Sequence, residues 1–186
     1  MSLGVKERGE TLATLRYIQV QIMEMLARWV PTTPEMEVKL VFGTHIWDVA
    51  QHADALGKRV HELRMPLQHS LRPVEAYMEV LAKLSAAQET GQRVAGMYGG
   101  VLPCLANRYR QYLDRTDPLM DAPTVRILDR ILHDHPRMLH ESEELYSQVP
   151  HVLPNPVWVG ELREMESAID DFVQHPPVAK STQGIA

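Results

Sequence analysis

The amino-acid sequence predicts an all-α protein, an up-and-down bundle of four long helices followed by a short extra helix at the C-terminus. Three observations carry this expectation. Apolar residues recur at spacings of three and four along most of the chain, and alternating β-type runs are missing. Proline-containing stretches cut the pattern into helix-sized pieces. A length of 186 residues suits one domain. Folding a chain of this size buries roughly two-thirds of its unfolded surface.

The first helix covers about residues 6–30 and stops at Pro31, which cannot donate a helical hydrogen bond. Thr33-Pro34-Glu35-Met36 reads as a start, with a threonine cap, proline in the first turn and an acidic neighbour. The second helix runs from there to about Arg64. The segment MPLQHSLRP is a connection bracketed by Pro66 and Pro73. A third helical stretch from Pro73 carries one stripe, Tyr77, Val80, Leu84, Ala87, Val94, Tyr98, Leu105 and Tyr112. Gly99-Gly100 followed by Pro103 is expected to bend or break it. After RTDPLMDAP, Asp121 is placed to cap a fourth helix over about 122–147. Residues 1–150 then form the bundle. Residues 151–175 hold an irregular proline-rich segment and a short helix, capped by Asn155-Pro156, that packs on the bundle. Residues 176–186 are an expected disordered tail.

Composition narrows the function. The net charge is −5, from 19 Lys+Arg against 24 Asp+Glu, which leaves no general basic face for phosphate backbones and argues against a nucleic-acid partner. No run of about 18 apolar residues is present, so no membrane span is expected. The start MSLGVKERGE lacks the apolar stretch of a signal peptide, and one cysteine, Cys104, allows no intrachain disulfide; a cytoplasmic location follows as the expectation. Phosphate-binding glycine loops, nucleophile elbows and Cys-x-x-Cys pairs are all missing.

The informative stretch is HIWDVAQHADALGKR, residues 45–59. At ~100° per residue, Val38, Phe42, Val49, Leu56 and Val60 share a face, and His45 and His52 fall within it. Asp48 lies on the shoulder of that face, three residues after one histidine and four before the other. In the fourth helix His135 sits among Leu128, Ile131, Leu132 and Leu139, whereas His61, His133 and His140 point outward. Pro136 follows the inward histidine and removes one helical hydrogen bond. His45, Asp48, His52 and His135 are therefore the candidate metal or proton-transfer residues. The alternative is a polar core layer in which Asp48 hydrogen-bonds the histidines. His45 and His52 stand about 10 Å apart along the axis, so one ion cannot readily take both without help from another helix.

This arrangement resembles the ferritin-like superfamily of di-metal carboxylate bundles. That family sets a glutamate on each of two helices and Glu-x-x-His on each of the other two. The resemblance covers about residues 8–147. It implies a ferritin-like four-helix bundle with iron or manganese at its centre. His52 takes the histidine place of the first motif, with Val49 in the glutamate place. In the fourth helix, His135-Pro136-Arg137-Met138 puts His135 in the glutamate place and Met138 in the histidine place. Glu24 and Glu89 fall at the single glutamates. Both paired motifs are broken, and hard cations need anionic oxygens that Val49 and Met138 cannot supply.

Three functions follow as expectations. The first is a ferritin-like protein of non-classical core site, acting as a binding or partner subunit, with iron, manganese or no metal. The second is a di-metal oxidoreductase with ligands rearranged onto His45, Asp48, His52, His135 and Glu24. The third is a metal-free interaction module whose C-terminal helix (Val157, Trp158, Leu162, Met165) docks on itself or on a neighbour. A homodimer is the expected assembly, and the small-molecule ligand is left unspecified.

Overall fold

A computed structural model describes residues 3–66 and 69–175. Among these residues the chain is all-α, without a strand. The helices are α1 (Val5–Trp29), α2 (Met36–Glu62), α3 (Glu75–Ser85), α4 (Thr90–Val94), α5 (Leu102–Arg115), α6 (Ala122–Gln148) and α7 (Pro156–Ser167). A π-helical segment, Ala95–Val101, joins α4 to α5 without a break in the helix. The expected tail, 176–186, lies outside the described residues. No helix is long and apolar enough to cross a membrane.

α1 packs along α2, α2 along α6, and α6 along α5 and the π segment. Side-chain pairs give the directions. His45 meets Glu141 and Arg59 meets Asp121, so α2 and α6 are antiparallel. Between them lies an apolar core that includes Leu15, Ile22, Phe42, Leu56, Tyr109 and Leu128. α7 lies across the π segment and α3. Its continuation runs back to α3, where Phe172 packs on Tyr77 with ring centroids 6.0 Å apart.

Three local expectations need correction. Thr33 does not cap α2: its hydroxyl donates to the carbonyl of Trp29 at 2.9 Å and so closes the end of α1. α2 then starts at Met36, with Glu35 in the cap position, and ends at Glu62 before a left-handed turn at Arg64 (φ 68°). The third helical stretch breaks at residues 86–89, and the helix runs through Gly99-Gly100. The glycines serve closeness instead. A Cβ on Gly96 would stand 2.6 Å from both Leu84 Cδ1 and Trp158 Nε1, and one on Gly100 would stand 3.2 Å from Leu162 Cδ1. Only a surface without Cβ atoms lets α7 approach this closely. The fourth helix follows its expected course, with α6 continuing through Pro136 to Gln148.

Asp121 stands at the N-cap position of α6, but its side chain makes no capping hydrogen bond and is turned to tertiary partners instead. Fully buried, it accepts from Tyr112 Oη (2.7 Å), Thr116 Oγ1 (2.9 Å), Thr124 Oγ1 (2.5 Å) and Arg59 (2.9 Å). Burial works against its charge, yet hydrogen bonds from Thr124, Tyr112 and Arg59 hold its carboxyl below the usual range. This one side chain ties α2, α5 and the start of α6 together.

Candidate functional site

The apolar stripe of α2 carries His45 and His52 into the core, and that of α6 carries His135. All three are buried, as the helical periodicity requires. His61, His133 and His140 are exposed.

His45 is fully enclosed and has two partners. A carboxylate can only accept, so Nε2–H donates to Glu141 Oε2 at 2.8 Å. That assignment leaves Nδ1 as acceptor for the Tyr98 hydroxyl at 2.6 Å. The chain continues outward, because Arg137 donates to Glu141 (3.0 Å) and to Asp48 (2.8 Å). His52 repeats the pattern one level along, its Nε2–H donating to Asp134 Oδ2 at 2.9 Å. Burial, opposed by these carboxylates, holds both imidazoles below the ordinary histidine pKa. Burial also drives the Tyr98 hydroxyl well above its usual range. The Tyr98–His45–Glu141 array is thus a neutral imidazole locked in one tautomer between a protonated phenol and a carboxylate. It can relay a proton in principle.

Asp48 is not the partner of either histidine. It lies at the rim of the α2–α6 seam and pairs with Arg137 across it, so its influence on the imidazoles is through charge alone. The acids that satisfy the histidines come from the facing helix. A single helical wheel shows which face is buried but not which residues of a neighbour meet it.

His135 differs from the other two. Neither ring nitrogen has a hydrogen-bond partner, and its neighbours are rings: Tyr109 at 5.9 Å and His52 at 6.3 Å between centroids. Burial, with the charges of His52 and Arg110, pushes its pKa down to about 4. The Nδ1 of His52 is likewise unpartnered, as is Oε1 of Gln19, whose amide donates to Tyr109 Oη. Gln19 escaped the sequence reading because a lone glutamine on an apolar stripe carries no motif. Its burial between Ile18 and Ile22 was the available signal.

Among the described residues no group of three or more His, Cys, Asp or Glu converges to hold an ion. His45, Asp48, His52 and His135 are brought to one seam, but each is directed to a different partner or to none. Val49 and Met138, at the positions where the resemblance would place ligands, are packed in the core. Glu24 and Glu89 are exposed, the former beside Arg28. Cys104 is buried in the wall of a pocket next to His135, and burial pushes its thiol up to about 11, so it is protonated at neutral pH. Comparison with protein-family models, with curated proteins and with solved structures finds no match.

Proposed function

We propose that the chain is a divergent ferritin-like four-helix bundle in which histidine–carboxylate pairs replace the two-metal centre, and that it serves as a binding or partner subunit. The single observation behind this reading is the diversion of the imidazoles. His45 and His52 each give Nε2 to a carboxylate of α6, while the ligand places at 49 and 138 are filled by packed apolar side chains. The antiparallel packing of α1, α2, α6 and the helix from Thr90 to Arg115 supports the bundle. Two hard cations need several anionic oxygens around them. The acids here are already engaged, Glu141 by His45 and Arg137, Asp48 by Arg137, Asp134 by His52.

The test is metal content after anaerobic purification and after incubation with ferrous iron or manganese. The expected result is well under one ion per chain in both cases. One or two ions per chain, lost on His52→Leu or His135→Leu, would overturn the reading. His52→Leu should itself fold normally. It removes one unpartnered buried nitrogen and leaves Asp134 with its edge in water.

A further inference from the structure

A surface groove of about 270 Å³ lies between α5, α6 and α7, walled by Pro103, Cys104, Ala106, Pro136 and Leu139, with His135 among its lining. A separate pocket of about 390 Å³, walled by Ala95, Tyr146, Pro154, Pro156 and Val159, shares Arg163 with it.

Two guanidinium groups stand on this mostly apolar surface. Arg163 donates through Nε to the carbonyl of Gly99 at 2.7 Å, a contact that fixes its stem against the π segment. Its two terminal nitrogens have no protein partner among the described residues. Arg110 lines the His135 end and donates to Asn107 Oδ1 at 3.0 Å. Neither arginine has a carboxylate partner among the described residues. By contrast, Arg59, Arg108 and Arg137 each hold an acid at 3.0 Å or less. His135 helps to floor the same end, with both ring nitrogens enclosed away from the groove.

We propose that this groove binds an amphipathic organic monoanion, a carboxylate carrying a short alkyl or aryl body. Arg163 and Arg110 take the carboxylate, and the proline, alanine and leucine walls take the apolar body. Guanidinium groups prefer planar carboxylates, which they bind through paired N–H donors. An inorganic anion leaves the apolar walls uncovered, and a neutral molecule leaves both charges unmatched. The volume suits a ligand of small size. The proposal rests on the reading of the chain as a binding subunit and names its ligand class.

The probe is octanoate, compared with its neutral analogue octanamide, by titration calorimetry on the full chain. Octanoate is expected to bind once per chain, about tenfold more tightly than octanamide. Arg163→Gln and Arg110→Gln are both on the surface and should fold. Each is expected to weaken octanoate by about tenfold, the worth of one charge-assisted hydrogen bond, and to leave octanamide unchanged. Equal affinity for the two probes, indifference to both arginine changes, or no heat with 5 mM octanoate would each overturn the proposal. Metal analysis of the same samples separates the two ideas. Metal-free protein without octanoate binding defeats the groove alone, whereas stoichiometric metal defeats the reading beneath it.

Discussion

Replacing Gly96 with alanine adds one methyl group at the most crowded point of the fold. Its carbon would stand 2.6 Å from Leu84 Cδ1, 2.6 Å from Trp158 Nε1 and 3.1 Å from Leu162 Cδ1. Ordinary carbon contacts lie near 3.5–4.0 Å, so two of these overlap by roughly 1 Å. Neither neighbour yields easily. Leu84 is fully buried, and Trp158 Nε1 donates to the carbonyl of Gln92 at 3.1 Å. Overpacking of this kind costs about 1–3 kcal/mol, and the better helical propensity of alanine returns at most about 1 kcal/mol. A net loss of about 1–2 kcal/mol lowers Tm by roughly 2–8 °C in a domain of this length. Gly43 is the control. A Cβ there meets nothing within 4 Å, so Gly43→Ala should stabilise α2 by about 0.5–1 kcal/mol. Thermal unfolding of both variants beside the parent decides the matter. A Gly96→Ala protein as stable as the parent refutes the view that these glycines exist to seat α7.

Two further outcomes are expected. His135 has a folded pKa of about 4 against an ordinary 6.5, so between those values the unfolded chain binds a proton that the folded one refuses. Stability should therefore fall as pH drops from about 6.5 to 4, by up to about 3 kcal/mol from this residue. In His135→Leu the decline, followed by urea midpoints, should be shallower, though His45 and His52 keep part of it because both are held neutral by burial; an unchanged slope contradicts the assignment. Asp121→Ala takes one carboxylate from Arg59, which keeps Glu62 and Thr124, and leaves three hydroxyls without this acceptor, which should cost about 3 kcal/mol in chemical denaturation. A loss below about 1 kcal/mol would show that the acid is not the tie between α2, α5 and α6.

Much of the architecture was legible because burial and periodicity coincide in amphipathic helices. The all-α class, the extents of α1, α2 and α6, and the inward turn of His45, His52 and His135 all follow from spacing at three and four. What stayed hidden lies between elements. Asp134 and Glu141 look like solvated acids on their own helix, and only the register of α6 against α2 turns them toward imidazoles. Asp48 looked like the natural partner because it is near in sequence, but its shoulder position sends it to Arg137. Gly96, Gly99 and Gly100 carry the same letter whether they break a helix or admit a neighbour; the choice depends on α7, some sixty residues away. The groove around Arg163 depends on three separate segments and has no local signature.

The seam between α2 and α6 behaves as a keyed joint. Sliding α6 by one turn, about 5.4 Å, would set His52 against Met138 and His45 against Leu145, or in the other direction against Arg130 and Arg137. Either offset leaves a polar nitrogen facing hydrocarbon or an imidazole facing a cation. Individual pairs at such a seam add little to stability, but together they admit one alignment. Exchanges that swap partners across the same level would preserve that alignment, while single changes would blur it. The seam thereby sets how far Pro136 and the wall of the neighbouring groove stand from Arg110 and Arg163.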